Sequence, residues 1–186
     1  MKKFIIVGVV LAVIAIIVFI SNFNKAAELE ENVKRSWGNV ENVLQRRYDL
    51  IPNLVETVKG YAKQEKEVFD NIAKSRERYF NAGSPEKKIE ASGDMEKALS
   101  RLLMLKESYP DLKSNENFLK LQDELAGSEN RIAVERRRYN KAVEELRKYG
   151  RSFLGSFFVS IRGINTDEYD YFKAEEAAKN APKVKF

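Results

Sequence analysis

Two stretches rich in polar side chains hold the residues whose types could do chemistry. The first, RRYDLIPN, covers residues 46–53, and the second, SENRIAVERRRYN, covers residues 128–140. Arginine guanidinium groups bind carboxylates and phosphates through paired N–H donors. The candidate binding or structural residues are Arg46, Arg47, Asp49, Pro52, Asn53, Glu129, Asn130, Arg131, Arg137, Tyr139 and Asn140.

The two polar stretches allow two interpretations. If the helices that carry them pack antiparallel, Arg46, Asp49 and Asn53 can meet the second stretch at the same height. The cluster is then a salt-bridge network that fixes helix register, or a site for an anion or a peptide. The network is favoured. The arginines at 136–138 cannot share one face, because successive helical residues point about 100° apart.

The composition excludes most enzyme classes. The 186-residue chain has no histidine and no cysteine, which removes His-based acid–base catalysis, thiol nucleophiles, zinc fingers and disulfides. The sequence contains no glycine-rich phosphate loop and no nucleophile elbow. We therefore predict a protein that is not an enzyme and has no catalytic residue, metal or cofactor.

The charge balance also argues against nucleic acid as a partner. The chain has 33 basic and 28 acidic residues and a net charge of +5. Lys2 and Lys3 supply two of these positive charges, so the rest of the chain is nearly balanced. Proteins that bind nucleic acid usually concentrate a larger basic excess on one face.

The N-terminal run FIIVGVVLAVIAIIVFI, residues 4–20, has no charged or polar side chain. As a helix it would be about 26 Å long, close to the ~30 Å of a bilayer core, and the stems of Lys2, Lys3 and Lys25 could extend it. A cleaved signal peptide is the alternative. The run exceeds the usual apolar region of about 7–15 residues, and SNFNKAAE offers no small-x-small cleavage site. The sequence predicts an uncleaved single-pass anchor.

The charges that flank the span indicate its orientation. Lys2 and Lys3 precede it, whereas Lys25 is soon followed by acidic residues. The positive-inside rule then favours a soluble domain outside the cytoplasm. Lys34 and Arg35 also lie within the distance normally counted, so the cytoplasmic orientation stays an alternative.

The remainder of the chain has the apolar spacing of amphipathic helices. Ser84 with Pro85, and Ser114 or Asn115, are suitable starts, and Pro110 prevents continuation of the helix before it. The predicted helices run from Leu29 to Tyr79, from Pro85 to the SYPDLKS segment, from Ser114 or Asn115 to Gly150, and from just after Thr166 and Asp167 to about Lys179.

Short connections place such helices antiparallel to their neighbours. The predicted fold is all-α, an up-and-down four-helix bundle with long antiparallel helices and an N-terminal transmembrane helix. We expect the anchor to cover residues 1–23, the bundle residues 24–180 and a C-terminal tail residues 181–186.

Pro52 lies inside the first predicted helix. Proline lacks an N–H and costs roughly 3 kcal/mol in a helix interior. The apolar stripe nevertheless keeps its phase from Leu44 through Ile51 to Val58. We therefore expect one continuous, bent helix; a new helix capped by Asp49 is the alternative.

Two segments near the C-terminus are unusually apolar or basic. SFLGSFFVSIRGI, residues 152–164, could pack over the open end of the bundle, or it could form an exposed patch for a partner or the bilayer surface. The closing PKVKF could be a frayed tail or a segment that docks in a groove.

The chain resembles the bacterial LemA family over almost its whole length. The resemblance rests on RRYDLIPNLVETVKGYAKQEKEV, YPDLKSNENFLKLQDELAGSENRIAVERRRYN and the closing PKVKF, behind a single span. It implies a membrane-anchored four-helix bundle in the bacterial cell (inner) membrane, with no known enzymatic activity and a poorly defined role. Gln64 stands where many members have histidine, and Phe153–Leu154 where members often have Phe-Pro.

Two functions follow from these features. The first is a membrane-tethered interaction or scaffold protein that docks an unidentified protein partner in a groove between helices; a homo-oligomer stays an alternative. The second is binding of an anionic ligand or lipid head group at the arginine-rich cluster.

Overall fold

The structure, a computed structural model, describes residues 1–173, and in that range it contains only helices, turns and irregular segments. The prediction of an all-α fold is confirmed. Two short 3₁₀ turns lie at Leu105–Glu107 and Thr166–Glu168. The α-helices are α1 (Lys2–Lys59), α2 (Lys66–Asn81), α3 (Pro85–Met104), α4 (Pro110–Lys113), α5 (Glu116–Gly150) and α6 (Phe153–Ile161).

Helix α1 joins two environments without a break. Its N-terminal part is long and apolar enough to cross a membrane, and each of residues 4–20 is exposed. From Ala26 onward only one side is buried, because the apolar residues now recur at helical spacing. The helix continues through Pro52, as the unbroken phase of the stripe predicts.

The prediction that this first helix reaches Tyr79 is wrong. Helix α1 ends at Lys59, residues 60–65 form turns, and α2 runs back along α1. Gly60 weakens a helix by about 1 kcal/mol relative to alanine. The reversal also brings the ring of Tyr79 to 4.6 Å from that of Tyr48, a contact that a straight helix could not make.

Helix α5 runs antiparallel to α1 along most of the soluble part. At one end, the side chain of Asn115 donates to the Tyr61 hydroxyl at 2.8 Å. At the other end, the Tyr149 hydroxyl donates to the backbone oxygen of Asn22 at 2.9 Å. These contacts fix the register of the two longest helices.

Helix α3 runs in the same direction as α1 and packs against α2. Near its start, Lys88 forms an ion pair with Glu41 of α1. Beyond its end, the Tyr109 hydroxyl donates to Glu65 at 2.9 Å. The path of the chain therefore alternates in direction through α1, α2, α3 and α5.

The helix starts agree closely with the sequence. The Ser84 side chain accepts from the backbone N–H of Lys87, with Pro85 as the first residue of α3. Asn115, rather than Ser114, caps α5 by accepting from the N–H of Phe118 at 2.9 Å. Each cap satisfies one of the N–H groups that a helix start leaves unpaired.

The end of the described chain differs from the prediction. A 3₁₀ turn occupies Thr166–Glu168 and residues 169–173 are not helical, so the predicted helix is wrong there; its remaining residues and the tail at 181–186 lie outside the described range. Arg147 donates to the backbone oxygens of Thr166 and Tyr169 at 3.1 and 2.7 Å. These backbone groups are thus bound by a side chain instead of by a helix.

Candidate functional site

Arg47 is the polar residue around which α1, α3 and α5 meet. It follows Leu44 by three residues and therefore lies on the buried face of α1. Only 6% of its surface is exposed. Its guanidinium group donates to Glu96 of α3 at 2.9 Å and to Glu129 of α5. One cation is thus held between carboxylates from two other helices.

Tyr48 lies beside this junction and stays neutral. Burial, and next the negative charge of Glu96, raise the pKa of Tyr48 far above its ordinary value. Burial and the charge of Glu41 likewise raise the pKa of Tyr79. No other described residue forms a hydrogen bond with either hydroxyl, so both phenols act as packing groups.

Most of the other polar candidates do not join the junction. Glu129 is the member of the second stretch that reaches the first stretch, through Arg47. The remaining candidates of the first stretch are exposed, and so are three candidates of the second. These exposed candidates are Arg46, Asp49, Pro52, Asn53, Asn130, Arg131 and Arg137. Arg46 lies on α1, and Arg131 and Arg137 point to different sides of α5, so the structure gives the anion-binding alternative no support.

Tyr139 and Asn140 have a separate role in the structure. The Asn140 side chain donates to the backbone oxygen of Phe172 and accepts from its N–H, both at 2.9 Å. The Phe172 ring lies against Tyr139 and stacks on Trp37 at 6.1 Å. These two candidates therefore hold the segment 169–172, which we call the C-terminal strap, against α1 and α5.

Several residues at these contacts were not singled out from the sequence. Glu96 is one of many acidic residues in the sequence and carries no distinguishing signal. Trp37 follows Val33 at the spacing of a core residue, and that spacing gives no sign of a contact with the strap. Arg136 lies over the Phe172 ring at 4.9 Å, and Arg147 over the Tyr171 ring at 4.8 Å. Both could have been suspected only from the arginine content of α5 together with the aromatic residues that follow α6.

A groove of about 920 Å³ opens between the C-terminal part of α1 and α2. Pro52 lies in its wall, and Phe80 leaves 39% of its surface exposed there. The apolar side chains that line it are Ile51, Pro52, Val55, Phe69, Ile72, Ala73 and Phe80. A proline in the wall of a groove contributes an apolar ring and no N–H donor.

Charged side chains border this groove, which we call the distal groove. Arg76 lies over the Phe80 ring at 4.7 Å, and Lys59 over the Phe69 ring at 5.8 Å. The charged residues that line it are Glu56, Lys59, Lys63, Lys66, Asp70, Arg76 and Glu77. An apolar floor with a charged border suits docking of an amphipathic segment, whereas nothing in the lining has the nucleophile–base arrangement of an active site.

Comparisons with known proteins identify the family of the chain. The sequence model of the LemA family matches residues 36–186. The chain is 23% identical over 190 residues to the magnetosome proteins MamQ 1 and MamQ 2 of Paramagnetospirillum magneticum, covering 86% of this chain and 70% of each relative. It is 22% identical to the magnetosome protein MamQ of Magnetospirillum gryphiswaldense, over 88% and 71% of the two chains. The match over most of its length shows that the chain belongs to the LemA family.

Proposed function

We propose that this chain is a membrane-anchored scaffold without catalytic activity, and that it docks a protein partner in the distal groove. The observation that carries the proposal is the apolar floor of that groove, left open between α1 and α2. Ile51 lies 31 residues beyond the end of the span at Ile20, or about 46 Å along a helix. The groove is therefore held well away from the bilayer surface.

The anchor is supported by the continuity of α1. The helix passes from the apolar span into the body without a turn, and Asn22 and Ala26 already contact the folded part. We propose a single-pass protein of the bacterial cell membrane with anchor, body and tail at residues 1–23, 24–180 and 181–186. The charges at the ends of the span favour a body outside the cytoplasm.

We also propose that α1, α2, α3 and α5 form one up-and-down four-helix bundle. Arg47 joins α1, α3 and α5 at one height, and the adjacent Tyr48 brings in α2 through Tyr79. All four helices thus meet at a single level. A rigid body of this kind would present the distal groove in a fixed direction.

The chemistry of the groove suggests the kind of partner. A helix with an apolar face would cover the exposed rings and the Pro52 side chain. Lys63 and Lys66 lie at the end of the groove beyond α1, so an acidic residue at the matching end of the partner would be favoured. Because burial of apolar surface drives the contact, binding should depend only weakly on salt.

Site-specific photo-crosslinking in native membranes tests this function. A photoreactive phenylalanine analogue at Val55 or at Ala73 should crosslink to the same protein. This adduct should be lost when a neighbouring apolar residue of the groove is changed to aspartate. The same analogue at the exposed Arg46 or Arg131 is the matched control. Equal adducts from all four positions, or none from the groove, would contradict the proposal. An adduct with a second copy of the chain would show that the groove forms the interface of a homo-oligomer and does not bind a different protein.

A further inference from the structure

Helix α6 presents an apolar face that the protein itself does not cover. Its residues Phe153–Ile161 include no charged side chain. Phe158 and Val159 are buried against the body, whereas Phe153 is 92% and Phe157 55% exposed. The exposed apolar residues Phe153, Leu154, Phe157 and Ile161 recur at helical spacing and share one side of the helix.

The position of α6 along α1 indicates what covers this face. The Phe158 ring lies 5.2 Å from the ring of Phe19, which is the next-to-last residue of the apolar span. Just beyond the span, the Arg162 guanidinium lies over the Phe23 ring at 4.4 Å and donates to the backbone oxygen of Phe23. Helix α6 therefore lies at the level where α1 leaves the hydrocarbon, next to the membrane segment.

The charges at the ends of α6 fit the same level. Arg151 precedes the helix and is exposed, and Arg162 follows it. Guanidinium groups at this height can bind phospholipid phosphates. Ser156 is exposed and points about 100° away from Phe157, whereas Ser160 is exposed beside Phe153 at the edge of the apolar face. Apolar, cationic and weakly polar side chains are thus arranged as in helices that lie in the membrane interface.

We propose that α6 is an interfacial helix that inserts its exposed aromatic face into the bilayer, as a second membrane contact beside the transmembrane anchor. The occupant of the face is the lipid surface that surrounds the end of the span. Two contacts at different points would restrict the tilt of the body relative to the membrane more than a single span does. This inference rests on the proposed transmembrane anchor and is independent of the partner in the distal groove.

Depth-dependent fluorescence quenching in the full chain tests the proposal. Because the chain has no cysteine, single cysteines at Phe157, Ser156 and Leu119 can each carry one fluorophore. Leu119 is exposed near the start of α5, far from the span. The labelled chains are reconstituted into vesicles of zwitterionic and anionic phospholipid that carry quenchers at two depths, and circular dichroism verifies that each remains helical.

We expect the label at Phe157 to lie roughly 5–10 Å below the phosphate level, the label at Ser156 to lie nearer the surface, and the label at Leu119 to show no lipid quenching. A Phe157 label that is quenched only by an aqueous quencher would overturn the proposal. So would a label shielded from both quenchers, since that result would place a protein over α6. A second variant, Phe153→Ser, should move the Phe157 label towards the surface if insertion is real.

Discussion

The body has a proximal half, between the apolar N-terminal segment and Arg47, and a distal half beyond Arg47. The seams between helices are covered differently in these two halves. In the proximal half, the C-terminal strap covers the seam between α1 and α5, held by Asn140 and stacked on Trp37. In the distal half, no described segment covers the seam between α1 and α2, and Phe80 and Pro52 stay exposed.

The comparison shows why apolar surface stays accessible for binding in the distal half. A polar side chain that bonds a passing backbone can fasten a segment over an apolar seam, because both backbone groups are satisfied. In the proximal half, the side-chain amide of Asn140 binds the backbone of the strap in this way. The distal groove has a proline in its wall instead. The boundary between the two halves lies at Arg47, where three helices are held together.

Removal of Arg47 should have the largest effect on stability. In Arg47→Ala the largely buried carboxylate of Glu96 loses its guanidinium partner, and loss of one member of a buried pair costs about 3 kcal/mol. Chemical denaturation of the full chain in detergent measures this loss. Arg46→Ala is the matched control and should change the free energy of unfolding by less than about 0.5 kcal/mol.

A double variant sharpens this prediction. Arg47→Met combined with Glu96→Gln removes both charges and keeps the volume, so it should recover most of the stability. If Arg47→Ala is as stable as the original chain, Arg47 does not link the two halves.

Asn140→Ala should release the C-terminal strap. The change removes both hydrogen bonds to Phe172, which should cost about 1–2 kcal/mol. Hydrogen exchange should accelerate in residues 169–173, with little change around the distal groove. Asn130→Ala, in the same polar stretch but exposed, is the control. Unchanged exchange in the strap would show that it is held by the aromatic stacking alone.

Alkaline pH should destabilise the protein through its buried phenols. Because the folded state raises the pKa of Tyr48, the unfolded state ionises first, near its ordinary pKa of 10. The free energy of unfolding is therefore unaffected by Tyr48 below about pH 10. Above that pH it decreases by about 1.4 kcal/mol per pH unit for this one residue.

Tyr48→Phe should reduce this alkaline loss while leaving stability near neutral pH unchanged or slightly higher, because the hydroxyl has no hydrogen-bond partner among the described residues. Unfolding curves at pH 8 and at about pH 11 compare the two chains. The same slope in both would refute the role of Tyr48.

Pro52→Ala should have the smallest effect on stability. An N–H is restored inside a helix that is already continuous, so the free energy of unfolding should stay the same or rise by up to about 1 kcal/mol. The variant should nevertheless alter docking in the distal groove, because the ring forms part of its wall. A marked loss of thermal stability would indicate that a helix begins at Pro52.

The sequence predicted the parts of this fold that depend on local rules. The caps at Ser84 and Asn115 and the continuity of α1 through Pro52 follow from side-chain chemistry and periodicity. The reversal after Lys59 was missed because both α1 and α2 bury an apolar stripe of the same period, so that the stripe does not reveal a turn. Gly60 was the one local signal.

The contacts of the candidate residues were harder to predict. That Arg47 points inward follows from its spacing to Leu44, but its partner Glu96 depends on the register of α3, which no local pattern fixes. The strap was predicted as a helix because its sequence permits one. Its actual path is set by Asn140 and Arg147, two side chains far away in the sequence.

Cysteine footprinting of the distal groove tests the central claim most directly. A single cysteine at Ala73 should react slowly with a soluble maleimide in native membranes and rapidly after the chain is purified into lipid vesicles, while a cysteine at Leu119 reacts rapidly in both. That result would show a groove occupied by a separate molecule in its native setting. Equal rates at Ala73 in the two preparations would contradict the account.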